Sequence, residues 1–279
     1  MVDWSLEKMV RNAESQWKIG IAFSDAHIKY GDEASIEIIK EYMRDNKKNI
    51  THILDLGDGV DNPFMSDFPV NADFNTSAQD EFDMYAEFTK DVHKIAPKAN
   101  YYIVAGNHDK GRLNKAKNLN RGIASLRNVA YEAVLKEALT NQKVDLSKFT
   151  FVDGYKTLKL TRSNNLTITH GDPRLDTNVK GGVTGARRTA EMYPVDGDIY
   201  MGHIHTSKTV PRRYPGKHLY SLPMIANIKA MKDVYLSYNP YENGFMIFKY
   251  NKEKNLLLHT PVNIVNGTAN VDGTIYEYK

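Results

Sequence analysis

The stretch "KIGIAFSDAH" (residues 18–27) decides how this chain is read. After Lys18 comes a short run, Ile19-Gly20-Ile21-Ala22-Phe23, with no polar side chain on either face. A short continuous apolar run closed by polar residues predicts a strand buried on both faces, as in a parallel sheet. The run then gives way to Ser24-Asp25-Ala26-His27. A carboxylate and an imidazole therefore stand where a strand becomes a loop, which is where open α/β sheets hold their ligands.

The same arrangement recurs along the chain. "ITHILDL" (50–56) runs into Gly57-Asp58-Gly59-Val60-Asp61, and "NYYIVAG" (100–106) runs into Gly106-Asn107-His108-Asp109. Later, "LTITH" ends at His170, and "DIYM" runs into Gly202-His203-Ile204-His205. Between the early strands, apolar residues at helical spacing predict helices over 33–48, 78–97 and 121–140. "GARRTAEMYP" (185–194) predicts a fourth. Beyond about residue 150 the chain turns to short alternating segments such as "YKTLKLTR", "GFMIFKY" and "NLLLHTP", punctuated by Asn, Gly, Asp and Pro. βαβ units come first, strands follow, and no linker divides them. The expectation is one α/β domain over residues 1–279, a layered sheet core with helices outside.

Composition fits an ordinary globular chain: 279 residues, 41% hydrophobic and 25% charged. No run approaches the ~18 apolar residues of a membrane span. Residues 1–18 are mixed and charged, without the apolar centre of a signal peptide, and predict a short amphipathic helix or a leading arm. The absence of cysteine excludes disulfides and thiolate metal sites. These features predict a cytoplasmic protein with no membrane association. The net charge of +3 is too small to diagnose a nucleic-acid partner, so local clusters matter more than the total.

Taken singly, the polar blocks have plain readings. His170 alone is a strand-end histidine before a turn. Asp25-x-His27 and Gly106-Asn107-His108-Asp109 alone are turns, since Asn and Asp tolerate turn conformations. Gly202-His203-Ile204-His205 is stronger, because residues i and i+2 share a face in extended chain and two imidazoles side by side suit a metal. Five of the nine histidines (27, 108, 170, 203 and 205) fall in these five segments. Five such blocks, in order, at successive strand ends, are not explained by chance.

The ordered set "DAH", "GDGVD", "GNHD", "HG" and "GHIH" resembles the calcineurin-like metallophosphoesterases, and every block of that pattern is intact. The resemblance implies a four-layer α-β-β-α sandwich of two mixed sheets flanked by helices, and a metal-dependent hydrolase acting on phosphoester bonds. It implies a site for two divalent metal ions. Asp25, His27, Asp58 and His205 would hold one, and Asp58, Asn107, His170 and His203 the other. His108 would stand beside the substrate, oriented by Asp61. Two such ions would offset phosphate charge and lower the pKa of a bridging water, which attacks phosphorus in line as hydroxide. A histidine beside a carboxylate, with its pKa raised, suits protonation of the leaving oxygen. Imidazole, carboxylate and amide donors suit Mn, with Fe, Zn or Ni as alternatives.

Protein phosphatases of the superfamily carry arginines directly after the second block and directly before the third. Here those positions hold Asn62 and Ala105. The blocks look more like those of Mre11/SbcD-type nucleases and some phage-encoded phosphoesterases. Basic residues follow three blocks: Lys110 and Arg112, then Arg187 and Arg188, then Lys208, Arg212, Arg213 and Lys217. They read either as solvated loops or as a basic rim tracking DNA or RNA, with Lys110, Arg112, Arg187 and Arg188 as candidate substrate contacts. Tyr214 and Tyr220 are candidate base-stacking rings, and the glycine-rich stretch 180–188 a substrate-gating loop. The leading expectation is a phosphodiesterase or nuclease, and the alternative a hydrolase of a small nucleotide or metabolite. A non-catalytic scaffold would have lost ligands, and this chain lacks none. Asp172 is open between a supporting role to a ligand and a turn.

Overall fold

The computed structural model describes residues 16–66, 77–120, 122, 125–171, 183–235 and 240–278. The leading segment 1–15, Asp172 and residues 180–182 of the expected gating loop lie outside them.

Strand β1 (Lys18–Phe23) forms where the apolar run predicted it. It is followed by helix α1 (Glu33–Asn46), β2 (Ile50–Asp55), α2 (Ala78–Ile95) and β3 (Asn100–Val104). Local chemistry marks these boundaries. Asp32 accepts from the Ser35 amide at the start of α1. Ser77 and Asp80 form a reciprocal capping box on α2. A π turn at Asn107–Gly111 leads into α3 (Arg112–Leu119), then α4 (Tyr131–Asn141) and β4 (Phe149–Val152).

The helix expected over 121–140 is corrected here, because α4 begins at Tyr131. Leu126 and Ala130 are extended, and Leu126 is exposed. The buried stripe of Tyr131, Leu135, Ala138 and Leu139 lies in the second half of that span.

The second half contains β5 (Tyr155–Lys159), β6 (Asn165–Thr169), α5 (Val183–Met192), β7 (Asp198–Met201), β8 (Lys208–Pro211) and β9 (His218–Ser221). It continues through α6 (Ile228–Tyr235), β10 (Asn243–Asn251), β11 (Leu256–Ile264) and a hairpin, β12 (Thr268–Val271) with β13 (Thr274–Glu277).

Two mixed sheets result. One has the order β11-β10-β1-β2-β3-β4, the other β5-β6-β7-β9-β8. β1 to β4 run parallel, as do β6, β7 and β9. Side-chain alternation builds the layers. Ile19, Ile21 and Phe23 of β1, with Ile53, Tyr101 and Ile103, pack under the helices. Ala22, Leu54 and Val104 face the other way, against Leu166, Ile168 and Tyr200 of the second sheet. Ala186 and Ala190 of α5 cover the far side of that sheet through Ile199, Met201 and Leu219. This is the expected four-layer arrangement. The C-terminal ends of β1, β2, β3, β6 and β7 carry the five polar blocks to one edge.

Candidate metal centre

Five of the residues expected as ligands have left-handed backbone: Asp25 (φ 54°), His27 (φ 36°), Asp58 (φ 54°), His203 (φ 74°) and His205 (φ 58°). Such conformations cost about 1–3 kcal/mol each in non-glycine residues and persist where the surroundings impose them, often at functional sites. The period-2 reading of these blocks is therefore corrected. β7 stops at Met201, so His203 and His205 do not share the face of a strand. They join different groups, the division that the resemblance implied.

Ligand atoms of Asp25, His27 and His205 lie within 4.8 Å of one another, and so do those of Asp58, His170 and His203. A third such group, His27, Asp58 and His108, connects the two. His205 Nε2 is 3.1 Å from Asp25 Oδ1, and His170 Nε2 is 3.1 Å from Asp58 Oδ2. Asn107 Oδ1 lies 2.8 Å from His170 Nε2. The structure thus brings together all seven residues named as ligands.

The donor set fits metal ions. His27 Nδ1 is 2.9 Å from Asp61 Oδ1, while its Nε2 is buried without a hydrogen bond. His170 Nδ1 donates to the Leu56 carbonyl at 2.8 Å, which turns Nε2 inward. An imidazole held through one nitrogen by a carboxylate or carbonyl, with the other aimed at a cluster of oxygens, is the usual geometry of a metal-ligating histidine. Asp58 divides its carboxylate. Oδ1 accepts the His108 amide at 2.8 Å, and buried Oδ2 stands 3.1 Å from His170 Nε2.

Charges inside the cluster are strongly coupled. Burial alone would raise the Asp25 carboxyl, but His205 beside it brings it down to about 2. Burial is likewise outweighed at Asp58, which His170 and His108 hold well below the carboxylate range. Burial disfavours charge on His170, yet Asp58 raises it to about 10. At His203, burial and the neighbouring His170 lower the value to about 4.

His108 Nδ1 lies 2.8 Å from Asp61 Oδ1, the pairing expected of an oriented proton donor. The expected upward shift is corrected, because burial pushes this imidazole below its ordinary value despite Asp58 and Asp61. Asp61 takes His27 and His108 on the same oxygen. Burial opposes its charge, but the two imidazoles hold it well below the ordinary range.

Two supporting carboxylates had no assigned role in the sequence reading. Asp109 accepts the amides of Asp58 (2.8 Å), Gly106 (2.9 Å) and Val60 (3.0 Å), tying the second block to the third. Its place in "GNHD" was visible, but not its work. Glu81 of α2 accepts the amides of Asp61 and Asn62, both at 2.8 Å. No local signal marks it, because the contact depends on how α2 packs. Gly171 turns with φ 108°, carrying the chain away from His170.

The candidate substrate contacts separate. Arg112 is buried against the site, with Nη1 2.6 Å from the Asp61 carbonyl and Nη2 3.4 Å from His108 Nε2. Lys110 pairs with Asp153. Arg187 and Arg188 are exposed on α5, which packs on β8 and β9. The expected basic rim after His205 is corrected at Arg212 and Lys217, and the expected stacking rings at Tyr214 and Tyr220. Arg212 is buried and donates to the carbonyls of Ala190, Tyr193, Val195 and Gly197. Lys217 bonds Asn164, and Tyr220 packs on Tyr200 and His259. Tyr214 donates to the Pro194 carbonyl and lies under Arg212 and Arg213. These side chains hold the second sheet together, which internal spacing alone did not reveal.

A four-layer sandwich with imidazoles and carboxylates gathered at one sheet edge defines a metal-dependent hydrolase of the phosphoesterase class. The chain belongs to the calcineurin-like phosphoesterase family, whose model matches residues 21–207. It is accordingly a metal-dependent phosphoester hydrolase. Among solved structures it is similar to a single mutant of Vps29 from Entamoeba histolytica, at 12% identity and TM-score 0.44, covering 92% of this chain and 96% of that one. It is also similar to the Thermus thermophilus sulfate thiohydrolase SoxB in complex with glycerol, at 9% identity and TM-score 0.43, covering 88% of this chain and 56% of that one. No curated protein matches it. Among the described residues, no helix is long and apolar enough to cross a membrane.

Proposed function

We propose that this phosphoesterase cleaves phosphodiester bonds in nucleic acid. The observation that supports the reading is α3, which follows the π turn holding His108, sets Arg112 against the metal centre and carries Lys115 and Lys117 further along its length. A strand laid along this helix would meet positive charge next to the reacting group. Neutral Asn62 and Ala105 leave room for a diester where a phosphatase would clamp a monoester.

Asp25, His27, Asp58 and His205 would hold one divalent ion, and Asp58, Asn107, His170 and His203 the other, with Mn favoured by the mixed nitrogen and oxygen donors. When bound, the ions supply positive charge for the phosphoryl oxygens and a water deprotonated near neutral pH. The chain's own residues do the rest. Asp61 fixes the proton of His108 on Nδ1 and leaves Nε2 toward the site. As the water oxygen bonds phosphorus, the P–O bond to the leaving alcohol breaks and its electron pair goes to the leaving oxygen. A protonated Nε2 on His108 then delivers the proton that completes the alcohol.

A second reading, hydrolysis of a small nucleotide or metabolite, is favoured by the internal engagement of Lys110, Arg212 and Lys217. One panel separates the two. Metal-loaded protein is given single- and double-stranded DNA and RNA, a chromogenic diester and a chromogenic monoester, with Mn, Mg, Zn and Ni in turn. Cleavage of a polynucleotide together with the diester supports the first reading. Rapid turnover of the monoester with every polynucleotide intact rejects it.

A further inference from the structure

We propose that Arg112 is a catalytic residue, donating a hydrogen bond from Nη2 to a non-bridging oxygen of the phosphoryl group. The proposal rests on reading the adjoining cluster as a phosphoester-binding centre. Arg112 opens α3, one turn beyond His108, and its side chain is 10% exposed. A buried guanidinium is costly unless it is paired. Here its two terminal nitrogens meet different groups. Nη1 donates to the Asp61 carbonyl at 2.6 Å and stands 3.7 Å from Asp61 Oδ1. Nη2 stands 3.4 Å from His108 Nε2, the nitrogen that faces the reacting atoms.

That geometry anchors one edge of a planar, permanently charged fork and places the other beside the proton-transfer atom. An oxygen bonded to His108 Nε2 from the side that Arg112 occupies is also within reach of Arg112 Nη2. A guanidinium suits such an oxyanion because its donors diverge in one plane and it keeps its charge. Its neighbours do not take this place. The Asn62 amide nitrogen donates to the His108 carbonyl at 3.1 Å, and Lys110 is turned to Asp153. Arg112 moves no proton. It adds positive charge where the phosphoryl oxygens gain negative charge, while its anchor on Asp61 keeps the His108 partner in position.

The test is calorimetric titration of inorganic phosphate into metal-loaded wild type, Arg112→Met and Arg112→Lys, with metal content measured on each. Turnover of bis(4-nitrophenyl) phosphate is followed in parallel. We expect Arg112→Met to weaken phosphate binding about tenfold and to lower kcat/KM on the order of 10²–10³, with metal content unchanged. Added guanidinium chloride should restore part of its rate. Arg112→Lys keeps the charge but cannot span Asp61 and the phosphoryl oxygen together, so its phosphate binding should fall between the two. Wild-type phosphate affinity in either variant overturns the proposal, as does a loss of phosphate binding that merely follows a loss of metal. If Arg112→Met does not fold, Arg112→Lys decides by the same criteria. If the wild type binds phosphate but turns over no phosphoester, the functional reading fails, and the phosphate titrations still decide the role of Arg112.

Discussion

Gly106 has no room for a side chain beside Asp58, because a Cβ built there would stand 2.0 Å from Asp58 Oδ1. That oxygen is also the one held by the His108 amide at 2.8 Å. Gly106→Ala must therefore push the Asp58 carboxylate or the third block out of place. A shift of about 1 Å in such a site costs on the order of 10² in rate. Steady-state kinetics with parallel metal analysis should show both activity and metal content reduced, and a variant with wild-type values in both would refute this reading of Asp58.

Asp61 and His108 should separate in their effects. His108→Ala removes a group that faces the substrate, so turnover should fall on the order of 10²–10⁴ while metal binding persists. Asp61→Asn also disturbs His27, since both imidazoles bond the same carboxylate oxygen. Loss of such an orienting partner typically weakens metal affinity about 10–100-fold. Metal titration of the two variants distinguishes them. Equal metal affinities would show that Asp61 does not support the ligand His27.

Arg212→Met should destabilise the fold without touching the chemistry. The guanidinium satisfies four carbonyls between α5 and β7, among them Tyr193 at 2.6 Å and Val195 at 2.8 Å. Stranding them should cost at least about 4 kcal/mol, at roughly 1–3 kcal/mol for each unsatisfied buried group. Urea unfolding measures the loss, and kcat of the folded fraction should match wild type. A drop in polynucleotide affinity with unchanged stability would return Arg212 to the substrate rim.

His52 gives the fold a pH dependence with a definite sign. Burial, with Lys252 nearby, lowers its pKa to about 4. Unfolded, it titrates near 6.5, so between about pH 6.5 and 4 the unfolded chain binds a proton that the folded chain excludes. Stability therefore falls through that window as pH drops, by roughly 3 kcal/mol at its lower end for this group. The difference in unfolding free energy between wild type and His52→Gln isolates it from the paired carboxylates. A difference that does not vary with pH would contradict the burial argument.

The strands and helices of the first half were legible because their patterns are local. Ile38, Ile39, Tyr42 and Met43 line one face of α1, and β1 is apolar on both faces. The helical spacing before Tyr131 does not carry a continuous helix, because Leu126 and Ala130 are extended and Leu126 is exposed. The basic rim was misjudged for the opposite reason. Arg212 and Lys217 find partners 15 to 53 residues away, and charge in a sequence does not say whether it meets water or a carbonyl.

By itself the sequence determined the alternation of strand and helix, the five polar blocks at strand ends and the residues that make up the site. Those depend on side-chain type and short spacing. The division of the ligands, His203 with Asp58 and His170 and His205 with Asp25 and His27, follows what the resemblance implied, while tertiary structure decided that Asp61 holds His27 as well as His108. It also decided that Glu81 and Asp109 brace the loops and that Arg112 lies against His108. The reason is geometric. Left-handed backbone at Asp25, His27, Asp58, His203 and His205 breaks the strand period, and the orientation of each side chain is then set by contacts from distant elements.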